Sequence, residues 1–268
     1  MKEVLCKSIL NRCGLVGIDY SLNPYIGCQH SCVYCYARYM KRYTNHTERW
    51  GEFVDVKVNA PKILTKELSR KPRGIVYLST VTDPYQPLER KYFLTRRCLS
   101  RLLSRQFPVR VLTKSSLVLR DVDILGKFEN LEVGFTITTT HPELSRLLEP
   151  YASPVEERLS ALKELKALGM DTYVFLGPVI PYLTDKDSIL EKTVRDIAAV
   201  KPVYVMVDRL NLRSGVWSNI RRFLEGNDPK LIPLYENLLP SIDSYFEDFK
   251  PRIKRLCALE GLDCEFCY

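Results

Sequence analysis

The sequence predicts an α/β protein, because short apolar strands alternate with amphipathic helices along most of its 268 residues. Strand patterns occur at 20–23, 74–79, 109–113, 131–137, 171–177 and 203–207. Helical patterns occur at 34–43, 94–103, 118–128, 155–168, 186–200 and 229–256. Such alternation is typical of a parallel sheet covered by helices. About six strands and this chain length predict a partial α/β barrel, with the chemistry at the carboxyl ends of the strands.

Three parts are expected along the chain. Residues 1–18 form an N-terminal arm, residues 19–210 the partial barrel, and residues 211–268 a helical C-terminal extension with a cysteine-rich tail. Strand 20–23 stops at Pro24, and the polar segment 44–60 is expected to be irregular and to cross the surface.

Composition favours an intracellular protein with an anionic partner. No apolar run is long enough to span a bilayer, and the start Met-Lys-Glu-Val-Leu-Cys lacks a signal-peptide core. We therefore expect a cytoplasmic location. Nine cysteines suit metal ligation better than disulfides in a reducing compartment. The net charge of +8 is consistent with nucleic-acid binding or with a solvated basic surface.

Three cysteines with the spacing C-x3-C-x2-C, Cys28, Cys32 and Cys35, form the strongest candidate site. Thiolates suit iron–sulfur clusters, which normally have four protein ligands, so three ligands leave one iron open. A zinc site with His30 or His46 as its fourth ligand is an alternative, and three unligated thiols are another.

The chain resembles the radical S-adenosylmethionine (SAM) superfamily, and within it the spore photoproduct lyase-like branch. The resemblance rests on the cysteine spacing with an aromatic residue before its last cysteine, and on further segments in the same order. These segments are Lys7-Ser-Ile-Leu10, Asp19-Tyr-Ser-Leu-Asn-Pro-Tyr25, Cys35-Tyr-Ala-Arg38, Thr80-Val-Thr-Asp-Pro-Tyr-Gln-Pro87, Thr113-Lys-Ser115 and Glu149-Pro150.

The resemblance implies a partial (β/α)6 barrel and a [4Fe-4S] cluster whose open iron chelates the amino and carboxylate groups of SAM. It implies that reduction, by an electron donor of the flavodoxin or ferredoxin type, cleaves SAM to a 5′-deoxyadenosyl radical. This radical would abstract hydrogen from a substrate, for which nucleic acid is the first expectation, in DNA or RNA repair or modification.

Candidate SAM contacts lie beside the cysteines and at strand ends. Tyr34 and Tyr36 flank Cys35 and are expected at the adenine. Thr82 and Asp83 occupy the place of the glycine-rich segment that faces the methionine amine in the superfamily.

Two further regions carry candidate contacts. Lys114 resembles a family lysine near the SAM carboxylate. Thr136 and Thr138 are expected to reach the ribose.

One departure from the branch concerns the hydrogen-returning cysteine that the lyase has after its second strand. The corresponding segment here, Leu78-Ser-Thr-Val-Thr-Asp83, has none. Thymine-dimer repair is therefore not expected, although the radical-generating residues are present.

The tail contains a second cysteine group. Cys257, Cys264 and Cys267, with Cys13 or Cys6 as a fourth ligand, are candidates for an auxiliary iron–sulfur cluster or a zinc site. Buried or redox-active thiols are the alternative. A peptide- or protein-modifying radical SAM enzyme and a non-catalytic zinc-stapled nucleic-acid-binding module remain the alternative functions.

Overall fold

The computed structural model describes all of residues 1–268. Its strands are β1 (Lys2–Val4), β2 (Leu10–Arg12), β3 (Tyr20–Leu22), β4 (Tyr25–Ile26), β5 (Asp55–Lys57), β6 (Val76–Leu78), β7 (Val109–Thr113), β8 (Leu131–Ile137), β9 (Asp171–Val179), β10 (Val205–Arg209) and β11 (Cys264–Phe266). Its helices are α1 (Ala60–Leu68), α2 (Glu89–Tyr92), α3 (Leu94–Leu103), α4 (Val122–Leu125), α5 (Pro142–Leu148), α6 (Val155–Ala167), α7 (Asp187–Ala198), α8 (Val216–Asn227), α9 (Leu231–Leu238) and α10 (Ile242–Leu259). No helix is long and apolar enough to cross a membrane.

The main sheet has eight strands in the order β11-β10-β9-β8-β7-β6-β3-β2. All neighbouring pairs are parallel except β2 with β3. Cys267, which follows β11, interacts electrostatically with Tyr77 on β6, although β11 lies five positions away from β6 in the sheet. This interaction indicates that the sheet curves. The predicted α/β partial barrel is therefore confirmed.

Alternation along the strands separates the outer face of the sheet from its lumen. In β10, Val205 and Val207 are fully buried, whereas Met206 and Asp208 are half-buried. The valines point to the helical layer and join the main hydrophobic core. Met206 and Asp208, like Tyr77, point to the opposite side, which we call the lumen.

The segment 44–60 differs from its prediction as an irregular excursion. It contains β5, which pairs with β1 and β4 in a separate three-stranded sheet. Phe53 and Val56 are 1% and 0% exposed, and His46 stacks on Phe53 with ring centroids 4.2 Å apart. Most residues of this segment are polar, so its sequence pattern did not indicate the few apolar residues that are buried.

Two predicted helices also differ in detail. The turns after Cys35 form a 3₁₀ helix over Tyr36–Tyr43 rather than an α-helix. The helix expected at 118–128 is a 3₁₀ helix over Ser116–Asp121 followed by the short α4. The tail adds a strand that was not predicted, since β11 extends the main sheet beside β10.

Candidate active site

The three cysteines lie in one loop after β4, and all three are free thiols. Cys28 and Cys32 are 7% and 6% exposed, and Cys35 is partly buried. Burial raises the pKa of each thiol, to about 12 for Cys32, and the negative charges of neighbouring groups add to the effect at Cys28 and Cys32. Three thiolates are therefore costly here unless a positive centre joins them.

The entry to this loop depends on Gly27. Its φ of +89° lies in the left-handed region, and a Cβ at this position would be 2.4 Å from the Phe53 carbonyl oxygen. Both observations exclude a side chain without movement of the backbone. The loop is thus fitted closely against the segment that carries Phe53.

Two side chains of the segment 80–87 hold the cysteine loop. The Thr82 hydroxyl donates to the Gly27 carbonyl oxygen at 2.6 Å. Gln86, which is fully buried, accepts from the Gln29 backbone N–H at 2.9 Å and donates to Thr82 Oγ1 at 3.0 Å. Thr82, predicted at the SAM amine, therefore also anchors the loop.

Asp83 is buried, and both of its carboxylate oxygens are occupied. Oδ1 accepts from the Thr113 hydroxyl at 2.7 Å, and Oδ2 accepts from the Lys114 backbone N–H at 2.8 Å. His30 Nδ1 lies 3.3 Å from Oδ2. Burial acts to raise the pKa of Asp83, but His30 and the Thr113 hydrogen bond outweigh it and lower that pKa to about 2. Asp83 therefore joins the cysteine loop to the end of β7.

Lys114 follows β7 and lies between the thiols and two buried carboxylates. Its Nζ is 5.8 Å from the centroid of the Tyr34 ring. Burial acts to lower the pKa of Lys114, but the Cys32 thiolate and the Glu149 carboxylate outweigh it and raise that pKa. The lysine is thus a cation next to the cysteine loop.

Glu149 forms the centre of a buried network at the end of α5. Its Oε2 is 2.6 Å from Arg158 Nη1, and its Oε1 accepts from the hydroxyls of Tyr34 and, at 2.9 Å, Thr138. Glu149 and Arg158 are 2% and 1% exposed. Thr138 Oγ1 also lies 2.9 Å from the Gly177 carbonyl oxygen, so these two acceptors share its single hydroxyl proton. Tyr34 and Thr138, both predicted SAM contacts, therefore have hydroxyls committed to this network.

The side chains of Tyr36 and Thr136 do not join this network. Tyr36 is 38% exposed, donates its hydroxyl to the Thr80 carbonyl oxygen, and interacts electrostatically with Tyr77 and Asp208, which places it at the lumen. Thr136 on β8 is buried at the same side of the sheet as Thr138. Thr136 makes no side-chain hydrogen bond within the protein.

Two histidines were considered above as the fourth ligand of a zinc site. His30 is 1% exposed and faces Asp83, as described. Both ring nitrogens of His46 are engaged, Nδ1 with Glu48 at 3.0 Å and Nε2 with Asp55 at 2.8 Å. Because a zinc ligand needs a free ring nitrogen, this arrangement contradicts His46 as a ligand.

The loop has the donor set that an iron–sulfur cluster requires. No three His, Cys, Asp or Glu side chains converge closely enough to hold a single metal ion, whereas each thiolate of a four-iron cluster binds a different iron. The buried indole N–H of Trp50 lies against the Cys35 thiol without a regular hydrogen bond, and it has no other acceptor in the protein. Orphaned donors of this kind suit cluster sulfurs. Cys28, Cys32 and Cys35 therefore fit the cluster that was inferred from their spacing.

The tail cysteines are arranged differently from the predicted auxiliary site. Cys257 on α10 is fully buried and lies within hydrogen-bonding reach of Cys264 on β11. Cys267 continues past β11 opposite Asp208, with its backbone N–H on the Val207 carbonyl oxygen, so it is on the lumen side. Strand alternation thus separates Cys267 from Cys264. Cys13 lies between β2 and β3, and because the sheet curves it acts on the same Tyr77 side chain as Cys267.

Sequence reasoning did not single out several residues that build the site. They are Gln86, Arg158, Trp50 and the side chain of Glu149. Gln86 and Glu149 lie inside segments that carried the family resemblance, which was the available signal. Nothing in the sequence pattern distinguished Arg158 or Trp50 from surface residues.

Comparison with known proteins identifies the family. The family model described as the radical SAM superfamily matches residues 22–195. An uncharacterized protein of Methanocaldococcus jannaschii is 35% identical over 237 residues, which cover 88% of this chain and 86% of that protein.

Solved structures agree on the fold. Spore photoproduct lyase complexed with dinucleoside spore photoproduct superimposes with a TM-score of 0.74 at 11% identity, covering 99% of this chain and 81% of the lyase. Streptococcus suis SuiB bound to the precursor peptide SuiA gives a TM-score of 0.54 at 14% identity, covering 82% of this chain and 48% of SuiB.

These matches confirm the predicted resemblance and exclude the non-catalytic zinc-stapled module. Membership of the family implies a [4Fe-4S] cluster, SAM and an external reductant. The chain is an enzyme that belongs to the radical SAM superfamily.

Proposed function

We propose that the chain holds a [4Fe-4S] cluster through Cys28, Cys32 and Cys35 and abstracts hydrogen from a nucleic-acid substrate. The observation that carries the first half is the grouping of three free thiols, two buried and one partly buried, beside the Lys114 cation. When bound and reduced, the cluster supplies the electron that cleaves SAM to a 5′-deoxyadenosyl radical. Everything else in the site serves to position that chemistry.

Four residues are proposed to bind SAM or to position a residue that binds it. The Lys114 ammonium pairs with the SAM carboxylate, for which a charge-assisted contact is suitable. Asp83 positions Lys114 through the backbone hydrogen bond at 2.8 Å. The uncommitted Thr136 hydroxyl is assigned to the ribose, and the half-exposed Tyr36 ring to the adenine.

Tyr34, Thr82 and Thr138 are proposed as positioning residues. Their hydroxyls are bound to Glu149, the Gly27 carbonyl oxygen and the Gly177 carbonyl oxygen, respectively. A hydroxyl that satisfies a buried partner is expensive to redirect to a ligand, because the partner is then left unpaired. These three residues therefore act on SAM through the loop that they fix.

The proposal for nucleic acid rests on an arginine-backed tyrosine at the lumen. The Arg213 guanidinium lies 5.9 Å from the Tyr36 ring centroid and 5.0 Å from the Tyr39 ring centroid. Unstacked bases bind aromatic faces, and arginines add phosphate and cation–π contacts. The net charge of +8 supports the same assignment. Thymine-dimer repair is not proposed, since 78–83 contains no cysteine.

A peptide or protein substrate is the second candidate. It is supported by the structural match to SuiB, which was solved with a precursor peptide. Binding measured against salt separates the two candidates. Nucleic-acid affinity should fall linearly with salt on logarithmic axes, with a slope of about −0.7 per single-strand phosphate neutralised. A flat response, together with tighter binding of an unstructured peptide, would favour the peptide.

The radical chemistry is tested with anaerobically reconstituted protein, dithionite and SAM. We expect about four irons per chain at the loop and release of 5′-deoxyadenosine, as inferred from the soft-ligand chemistry of the triplet. Cys32→Ala should abolish that release, whereas Cys264→Ala should leave it largely intact. Release that survives Cys32→Ala would refute the assignment of the cluster.

A further inference from the structure

A basic cavity lies on the outer side of the cysteine loop. It has a volume of about 830 Å³ and is lined by the 3₁₀ turns after Cys35, the segment 44–52 and the start of α8. Five of its lining residues are cationic, and Glu52 is its only carboxylate. The cations are Arg38, Lys41, Arg42, Arg49 and Arg222.

The positive charge of this cavity is not neutralised within the protein. None of the five cations has a carboxylate within 4.0 Å. Arg42, Arg49 and Arg222 are exposed, and the side chains of Arg49 and Arg222 make no hydrogen bond in the chain. A concave surface with unpaired charge of one sign attracts a partner of the opposite sign.

The cavity reaches the cysteine loop directly. Arg38 donates to the carbonyl oxygens of Cys35 at 2.9 Å and Val33 at 3.1 Å, and Asn219 also donates to Val33. Trp50 is 8% exposed, lines the cavity and packs against Cys28 and Cys35. One side chain therefore separates the cavity from two of the proposed cluster ligands.

The cavity does not reach the proposed SAM side. Lys114, Asp83, Thr136 and Tyr36 are not among its lining residues. A nucleic acid seated here would touch none of these four side chains, so its reacting atom would lie away from the radical that forms beside them. An electron carrier does not need to reach the SAM side, because its electron can enter the cluster through the cysteine ligands.

We propose that this cavity is the docking surface for an acidic one-electron carrier protein, an assignment that rests on the proposed cluster. The carrier loses one electron and the cluster gains it, with Trp50 forming the contact between cavity and ligands. Negative side chains around the prosthetic group of the carrier complement Arg42, Arg49 and Arg222.

The test uses flavodoxin as the carrier and the double variant Arg49→Glu/Arg222→Glu. The matched control is Arg105→Glu/Lys163→Glu, which makes the same change of charge at two exposed positions outside the cavity. Binding of oxidised flavodoxin and the rate at which reduced flavodoxin bleaches the cluster absorbance are both measured from low to high ionic strength.

At low ionic strength we expect the cavity variant to lose at least about tenfold in binding and in reduction rate, because steering by charge contributes about 10- to 1,000-fold to association. The loss should shrink as salt shortens the Debye length to about 8 Å at 0.15 M and below. The control variant should behave like the parent protein, and reduction by dithionite should be equal in all three.

Two results would overturn the assignment. One is unchanged flavodoxin binding and reduction in the cavity variant. The other is an equal loss in the control, which would reflect net charge rather than the cavity. If the cavity variant loses nucleic-acid binding while flavodoxin still reduces its cluster at the parent rate, the cavity would instead be a binding site for the substrate. Failure of dithionite to reduce the parent protein would instead refute the proposed cluster, so the two failures are distinguishable.

Discussion

Glu149→Gln is expected to destabilise the protein strongly, because it leaves Arg158 as a buried charge without a counter-ion. The two side chains are 2% and 1% exposed and lie 2.6 Å apart. Removing one partner of such a pair costs about 3–5 kcal/mol. The glutamine retains an acceptor for Tyr34 and Thr138, so the lower end of that range is expected. For a domain of this size, the melting temperature should fall by roughly 6–12 °C.

The assay is urea denaturation of anaerobically prepared protein, with and without iron. Glu143→Gln is the matched control, since Glu143 is exposed on the same helix and makes no ion pair. It should change stability by less than about 0.5 kcal/mol. If the slope of the unfolding free energy against urea concentration is unchanged, the variant alters stability and not the amount of surface that unfolding exposes.

The double variant Glu149→Gln/Arg158→Met isolates the charge from the change of shape. If the unpaired guanidinium causes the loss, removing it should recover part of the stability, by about 0.5–3 kcal/mol relative to the sum of the single changes. Strict additivity would refute the reasoning. A single variant Glu149→Gln within about 1 kcal/mol of the parent protein would refute it as well.

Three further predictions concern the loop and the lumen. Gly27→Ala should cost about 1–3 kcal/mol in backbone strain and lower the iron content, because its Cβ would meet the Phe53 carbonyl oxygen at 2.4 Å. Trp50→Phe should shift the cluster reduction potential to more negative values in potentiometry, because it removes an N–H beside the Cys35 sulfur. Burial raises the pKa of Asp208 to about 6, so Asp208→Asn should stabilise the protein at pH 7.5, by up to about 3 kcal/mol, and progressively less as the pH falls toward 5.

Each of these has a control or a contrary outcome. Gly226→Ala in α8 introduces a Cβ with nothing within 4 Å and no left-handed φ, so it should leave the iron content unchanged and stabilise the protein by up to about 1 kcal/mol. An unchanged potential in Trp50→Phe would place the indole N–H away from the sulfur. For Asp208, the direction of the change in stability with pH follows from the raised pKa. Between about pH 4 and 6 the native state holds a proton that the unfolded state has released, so the cost of ionising Asp208 in the native state grows over this range. A stability gain that is equal at pH 5 and pH 7.5 would contradict it.

The cysteine loop was predictable because its ligands are close in sequence. Spacing alone specifies that Cys28, Cys32 and Cys35 can surround one small site, and Gly27 marks the turn into it. The strand–helix alternation likewise predicted the barrel, since each strand is locally apolar. Local patterns were therefore sufficient wherever neighbours in the chain are neighbours in space.

The remaining parts of the site depend on pairings across long stretches of chain. Tyr34 meets Glu149 across 115 residues, and Gln86 reaches Gln29 across 57. No periodicity encodes such pairs, so the hydroxyls of Tyr34 and Thr138 looked available for SAM although buried partners use them. The separation of Cys267 from Cys264 has a similar origin, because it depends on the register of a strand that was not predicted.

The cysteine loop separates two environments that differ in charge and therefore in function. On one side, the Lys114 cation is enclosed by the buried carboxylates of Asp83 and Glu149, which suits a zwitterion such as the methionine part of SAM. On the other side, Arg38 and the exposed arginines carry no carboxylate partner. A reductant and a substrate that approach from opposite sides do not compete, so the cluster can be reduced while the substrate stays in place. The rate at which reduced flavodoxin reduces the cluster should thus be the same with and without saturating nucleic acid, whereas mutual inhibition in steady-state kinetics would mean that both partners use one face of the loop.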